Sequence, residues 1–239
     1  MSTTLSLARD ELQIDAGVVG NKDFPPSLLT SYLNRAQKYV QKALNGLGMK
    51  QWETSYDAST DLTGSKYNGI SVKGLTLAQI AAGAGQDVGV YPNSIRLIEC
   101  GDAATIAAST TFGIAKIADE QFFDQILSNS ILSPSLKNPR FLWADKQLLI
   151  APATVLSCIV HFYSIVKDLA ADTDTFEVPD EFIEYVIKRA KIDIFSRQKL
   201  LQNKDEALAA LDKEIKDQFA SYQVSMQMKN ELEKQVELS

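Results

Sequence analysis

The residue from which most hydrolytic or zinc chemistry would have to be built is histidine, and the chain contains only His161. A base that activates a serine or cysteine, and the usual zinc ligand, are both most often histidines. His161 lies directly before Phe162 and Tyr163, within the most β-branched and aromatic run of the chain. This setting indicates a structural position on a strand. We therefore predict no catalytic residue and no metal site.

Two further patterns resemble sites without meeting their requirements. Gly83, Gly85 and Gly89 resemble a dinucleotide-binding loop, but the third glycine comes one position too late and no strand–loop–helix context surrounds it. Cys100 and Cys158 are the two cysteines, they do not form a C-x-x-C pair, and Cys158 lies in an apolar run. We expect no nucleotide or other cofactor, and we interpret Cys158 as a buried thiol in a reducing compartment.

The acidic residues between the apolar segments also fall short of a site. Asp172, Asp174 and Glu177 have part of the spacing of a calcium loop, but position five is Phe176 and the required glycine is missing. A solvated linker is the better interpretation of this segment. The sequence therefore favours a protein that is not an enzyme.

Composition and charge narrow the classes of partner. The chain has 239 residues, 45% of them hydrophobic and 23% charged, with a net charge of −6. This acidity is mild, and no basic cluster is present that would neutralise DNA phosphates, so tight nucleic-acid binding is disfavoured. We also expect no membrane association, because the longest apolar run is far shorter than the ~20 residues of a membrane helix.

Helical periodicity is clearest at the two ends of the chain. The pair Pro25–Pro26 predicts the start of a helix whose apolar residues recur every three or four positions up to about Leu47. Pro179 opens a second long helix that ends near Leu201. A capping pattern at Asn203 predicts a restart, followed by a last helix whose apolar residues would pack back on the preceding one. These residues are Leu208, Leu211, Ile215, Phe219, Tyr222 and Met226.

The middle of the chain is less regular. From Trp52 to Gly89 glycine recurs, alternation is weak, and we expect an irregular stretch with short strands. Phe141–Ala144, Gln147–Ile150 and the run after Val155 predict an antiparallel meander. The fold class predicted from these elements is α+β, mainly helical, with a helix bundle and a small antiparallel β meander. The expected regions are N-terminal bundle helices over 1–50, an irregular and antiparallel β region over 51–175, and a C-terminal helix pair over 176–239. Helices from both ends are expected to share one domain.

Three stretches in this order resemble the head-to-tail adaptor proteins of tailed bacteriophages, including the tail tubular protein A type of short-tailed phages. The first is FPPSLLTSYLNRAQKYVQKAL, with Tyr32, Asn34 and Ala36 in a Tyr-x-Asn-x-Ala pattern. The second is NPRFLWADKQLLIAP followed by VLSCIVHFYSIV, and the third is DTDTFEVPDEFIEYVIKRAKIDIF. Together they cover 72 of the 239 residues. The stretch from Trp52 to Gly89 and the length of the last helix depart from the pattern.

The resemblance implies a structural virion protein, assembled in the host cytoplasm and located at the neck of the particle. It would form a homo-oligomeric ring, expected to be a dodecamer, that joins the portal protein to the tail or to further neck ring proteins. DNA would pass through the lumen without specific binding. The alternative is an assembly factor or scaffold, viral or not, whose C-terminal helix pair binds a partner protein.

The residues expected to contact partners come from two kinds of position. Trp52 and Tyr91 are aromatic residues of the type enriched at interfaces. Leu232 and Val236 keep a four-residue spacing in an otherwise polar segment at the end of the last helix. Because such a polar segment gains little by packing on its own core, we expect a neighbouring protein to order it.

Overall fold

The computed structural model describes residues 3–85, 94–129, 133–144 and 146–237, with only the backbone described for 230–237. The chain divides into two compact units. Met1–Lys50 and Val166–Ser239 form the first, which we call the helical unit. Gln51–Ile165 form the second, which we call the sheet unit. The two ends of the chain thus contribute to the same unit.

The helical unit contains α1 (Leu5–Asp15), α2 (Pro26–Gly46), α5 (Ile183–Arg197) and α6 (Lys204–Glu237). The start of α2 agrees with the prediction: Pro26 occupies the first helical position, where its missing N–H costs nothing. α2 buries a stripe of apolar residues and packs on α5. The members of this stripe are Leu29, Leu33, Ala36, Val40 and Leu44.

Polar side chains on α2 hold the segment that returns from the sheet unit. Gln41 Oε1 accepts a hydrogen bond from the Val166 N–H at 3.2 Å, and Gln37 donates to the Lys167 carbonyl at 2.7 Å. Asn34 both donates to and accepts from the backbone of Leu169. These polar residues lie outside the apolar periodicity of α2, yet Gln37 and Gln41 are buried. Their amides satisfy backbone groups that would otherwise lose their hydrogen bonds on burial.

The predicted break before the last helix is present between α5 and α6. The connecting residues include Lys199 in the left-handed region, with φ of +57°. Asn203 Oδ1 then accepts from the Glu206 N–H at 3.2 Å, which caps the first turn of α6. The second helix therefore starts anew at Lys204 and packs beside α5.

The sheet unit is built from eight strands within the described residues, with α3 (Leu77–Gly83) and α4 (Glu120–Ser128). The strands are β1 (Glu53–Asp57), β2 (Thr63–Tyr67), β3 (Ile70–Thr76), β4 (Ile95–Gly101), β5 (Phe112–Ile117), β6 (Arg140–Ala144), β7 (Gln147–Ala151) and β8 (Ser157–Tyr163). They form one sheet in the order β1-β8-β4-β5-β6-β7-β3-β2. Only β5 and β6 pair in parallel; the other neighbours recorded are antiparallel.

The prediction of a mainly helical bundle with a small antiparallel meander is wrong. The chain has a mixed, curled sheet of half-barrel form, with 24% strand and 45% helix. Three strands lie in the glycine-rich stretch after Trp52, where the sequence predicted an irregular stretch with short strands. β2 and β3 form a hairpin around Asn68 and Gly69, whose φ values of +48° and +82° suit a type I′ turn. β2 contributes only Tyr67 to a core, so alternation is nearly absent from its sequence.

The two faces of the sheet are packed differently. One face, which we call the main core face, carries a large buried cluster that includes Leu75, Ile98, Ile150, Val160 and Phe162. The opposite face, which we call the α4 face, is covered over β3, β6 and β7 by Phe123 and Ile126 of α4. The neighbours of these two side chains include Tyr67, Val72, Leu142 and Leu149.

Candidate interaction surfaces

The four residues predicted to contact partners lie in three different settings. Trp52 is buried, with 6% of its surface exposed, and its carbonyl accepts hydrogen bonds from the N–H and the hydroxyl of Ser164. Its side chain therefore packs within its own chain. Tyr91 lies outside the described residues. Leu232 and Val236 belong to the helical backbone of α6, in the part where side chains are not described.

α6 changes character along its length. Leu211, Ile215 and Phe219 are buried. The rings of Tyr222 and Phe182 pack edge to face, with their centroids 5.6 Å apart. From Gln223 to Lys229 every residue is exposed. Met226, predicted to continue the packed stripe, is 39% exposed. We call Gln223–Glu237 the distal segment of α6; at ~1.5 Å per residue it is about 22 Å of helix.

Ion pairs and hydrogen bonds fix the proximal part of α6 to the rest of the helical unit. Lys188 on α5 lies 2.8 Å from Glu184 and 2.9 Å from Glu214 of α6, and hydrogen bonds to these two carboxylates raise its pKa. The Tyr39 hydroxyl on α2 donates to Asp212 at 2.7 Å. Burial is the larger cause, and this hydrogen bond the second, of the rise in the pKa of Tyr39 to about 12. The helix is thus anchored before its exposed segment begins.

A buried carboxylate lies where α5 meets the start of α6. Asp193 Oδ1 is 2.9 Å from both Arg189 and Lys204. Burial alone would raise the pKa of Asp193, but the hydrogen bonds and positive charges of Arg189 and Lys204 outweigh it and hold the pKa below its ordinary value. These ion pairs join α5 to the first residue of α6.

The second surface is the half of the α4 face that α4 does not cover. By strand alternation this face of β4, β5 and β8 carries Leu97, Phe112, Ile114 and Ile159. Phe112 is 59% exposed and Ile114 is 49% exposed. Exposed apolar residues that cluster on one face are typical of interaction sites. The sequence analysis did not predict β5. The pattern that could have indicated this strand is the alternation of Phe112, Ile114 and Lys116 with Gly113, Ala115 and Ile117.

His161 also lies on this uncovered surface. Its Nε2 is 3.4 Å from Glu99 Oε1, and Ser55 is its partner across the β1–β8 pair. A serine, a histidine and a carboxylate are therefore neighbours on three adjacent strands. Among the described residues no hydrogen bond joins Ser55 to His161, and the three lie on an open sheet face without converging N–H donors for an oxyanion. The arrangement supports cross-strand packing of the histidine.

The two cysteines face each other inside the sheet unit. Cys100 on β4 is the cross-strand partner of Cys158 on β8, and both are buried as free thiols. The hydrogen bond between the two thiols, and then burial, raise the pKa of Cys158 well above its ordinary value. Thiols with these properties react slowly, because the thiolate is the reactive form.

Neither metal ligands nor a membrane span can be assigned within the described residues. They contain no group of three or more histidine, cysteine or acidic side chains placed to hold a metal ion. No helix among them has the length and apolar character needed to cross a bilayer. An open depression of about 370 Å³ borders β2 and β3 and is lined by Ser65, Lys66, Lys73 and Ala153, with Gly64, Ser71 and Val72.

No protein-family model matches the chain, and no curated protein matches it.

Proposed function

We propose that this protein is a structural subunit, without catalytic activity of its own, of a homo-oligomeric ring at the head-to-tail junction of a tailed bacteriophage. The ring would join the portal to the tail or to other neck proteins and extend the DNA channel. The observation that carries the proposal is α6. It is anchored by buried residues up to Phe219, residues 223–229 are then exposed, and the helical backbone continues to Glu237, as in a segment that docks on another protein.

Two further features support the proposal. The uncovered half of the α4 face offers a second apolar surface, around Phe112 and Ile114, for contact with a neighbouring molecule. The net charge of −6 suits a wall past which DNA must move, because an acidic surface does not accumulate phosphate contacts. The sequence resemblance described above supplies the class of particle.

Truncation after Met228 tests the role of the distal segment of α6. Because the residues removed follow an exposed stretch, we expect the thermal stability of the monomer to be nearly unchanged. Binding to portal rings made from the same genome should weaken at least tenfold. The matched control is Leu211→Ala in the buried part of the same helix, which should cost about 2–5 kcal/mol of stability.

The outcomes separate the proposal from its alternative. If the truncated chain unfolds, the distal segment belongs to the core of its own unit and the docking role fails. If the full chain binds a partner but mass spectrometry of finished particles does not find it, an assembly factor or scaffold is the better description. A chain that binds no portal ring and is absent from particles would refute the proposed function.

A further inference from the structure

The curled sheet ends in two strands, β1 and β2, and each leaves one side without a partner strand among the described residues. On β1, Ser55 and Asp57 are exposed, and on β2, Gly64 and Lys66 are exposed. Each open edge presents backbone N–H and C=O groups to solvent. Such edges are templates for pairing with another chain, and soluble proteins rarely leave them open without a purpose.

The hydrogen bonds to β8 show which groups of β1 point outward. Ala58 N–H donates to Cys158 and Ser164 N–H donates to Trp52, each at 2.8 Å. Even-numbered residues of β1 therefore bond to β8, since bonding alternates along an antiparallel pair. The N–H and C=O groups of Glu53, Ser55 and Asp57 consequently face the open edge.

The same reasoning applies to β2. Tyr67 and Ile70 flank the two-residue turn at Asn68–Gly69 and form a hydrogen-bonded pair, so the odd-numbered residues of β2 bond to β3. The backbone groups of Gly64 and Lys66 are thus the ones that face outward.

We propose that β1 of one copy pairs in parallel with β2 of the next copy, so that the sheets of the proposed ring continue from subunit to subunit. The inference rests on the proposed function for the ring itself and adds the edges that form it. Its first support is strand direction. Of the seven pairings between β1 and β2, six are antiparallel and one is parallel, so the two edge strands run the same way. A copy placed beside the first by simple rotation therefore meets it with parallel strands.

The second support is the match of the two faces. Side chains of Ser55 and Ser65 both lie on the α4 face, because Tyr56 packs on the main core face and Tyr67 packs under α4. In a parallel pair, a residue bonds to the two neighbours of the residue opposite it. With Ser55 opposite Ser65, its outward N–H and C=O meet the outward groups of Gly64 and Lys66. Direction, face and hydrogen-bonding pattern all agree for parallel pairing of unlike edges.

Charge separates this arrangement from a symmetric dimer. Two β1 edges meeting antiparallel around Ser55 would place Glu53 directly opposite Asp57 twice, and like charges in that position repel. β2 carries one charged residue, Lys66, and no acid, so this repulsion between carboxylates is absent when unlike edges pair. Pairing of unlike edges is heterologous, and a heterologous contact that closes on itself yields a ring.

Proline at the outward positions tests the inference on the full chain. Ser55→Pro removes an outward donor without breaking a bond to β8, and proline is tolerated at such edge positions. Gly64→Pro does the same on β2, where a β-carbon at Gly64 would meet no atom within 4 Å. Ser55→Ala is the matched control, because it keeps the N–H. We expect the wild type and Ser55→Ala to oligomerise in light scattering, and both proline variants to be monomers with an unchanged melting temperature.

Mixing the two proline variants gives the sharpest outcome. Each variant keeps one intact edge, so a mixture should form dimers and nothing larger, because intact β1 on one variant meets intact β2 on the other. Dimers of Gly64→Pro alone would show that β1 pairs with itself and would overturn the inference. So would a proline variant that folds and still oligomerises, or a wild-type chain that stays monomeric at the highest concentration reached. If one variant fails to fold, the other still decides the result.

These results are independent of the proposed function. An oligomer that survives both proline variants leaves a ring built on other contacts, whereas failure of the wild-type chain to bind portal rings removes the neck role whatever its edges do.

Discussion

The helical unit and the sheet unit differ in how many of their backbone groups and apolar surfaces lack a partner. In the helical unit the polar groups of α2 are used to hold the returning chain, and α5 and the proximal part of α6 are tied together by ion pairs. In the sheet unit two strand edges and half of the α4 face remain without partners among the described residues. In the proposed ring, the helical unit would dock through one helix, whereas the sheet unit would make lateral contacts through its backbone edges and an apolar face.

The largest expected effects test whether the units are independent. Phe162→Ala in the sheet unit and Phe182→Ala in the helical unit each delete a fully buried ring, which costs about 3–5 kcal/mol. Calorimetry should show two transitions, with each variant lowering a different one. The control Phe112→Ala removes an exposed ring and should change stability by about 0.5 kcal/mol or less. If both variants lower one shared transition, the two units unfold together and the comparison fails.

A smaller effect is expected from the buried charge of the helical unit. Asp193→Asn leaves Arg189 and Lys204 without their anion, which should cost about 3 kcal/mol in denaturant unfolding. Glu11→Gln, an exposed acid on α1, is the control and should cost about 0.5 kcal/mol or less.

The pH dependence of that loss has a definite sign. The pKa of Asp193 is lowered on folding, so its stabilisation is present above the ordinary pKa of 3.8 and disappears as the pH falls through the lowered value. The gap between wild type and Asp193→Asn should therefore close in strong acid. A gap that stays constant down to the acid limit would show that packing, and not charge, is responsible.

The smallest effects compare one tyrosine in each unit. The hydrogen bond to Asp61 and then burial raise the pKa of Tyr56 to about 12, and Tyr39 has the same value through burial and Asp212. Because folding raises these pKa values above 10, the stabilisation is present below pH 10 and is lost as the pH rises to about 12. Tyr39→Phe or Tyr56→Phe should each cost about 1 kcal/mol.

Tyrosinate absorbance checks this pair directly. Each phenylalanine variant should remove one tyrosine from the group that titrates near pH 12. A variant that instead removes a tyrosine titrating at the ordinary value would show that its hydroxyl bond does not form in solution.

The sequence was most informative where one residue type has one local role. Pro26 and Asn203 placed the starts of α2 and α6 correctly, because a proline at the first turn and an amide cap act through the adjacent backbone alone. The strands of β6, β7 and β8 were also predicted, since their buried faces are apolar. Local chemistry was enough in these segments.

The size of the sheet was underestimated, and the short strands expected after Trp52 could not be placed, because their sequences do not alternate. β1 and β2 are edge strands whose residues are mostly polar or small. β1 pairs with β8, which is distant in sequence, and β2 pairs with β3, to which a tight turn connects it. The buried state of Gln37 and Gln41 was missed for a related reason. Their partners, the backbone groups of Lys167 and Val166, are far away in sequence. The sequence around α2 therefore contains no pattern that predicts these hydrogen bonds.

The insertion of the sheet unit between α2 and α5 has a consequence for synthesis on the ribosome. Gln51–Ile165 is continuous and can fold as it emerges. In contrast, α2 lacks its partner α5 until about 136 further residues have been made, or roughly 7–27 seconds at 5–20 residues per second. During that interval the apolar stripe of α2, from Leu29 to Leu44, is exposed to chaperones and to other nascent chains. The yield of this protein should therefore depend on translation speed and chaperone supply, because its first long helix must wait for its partner.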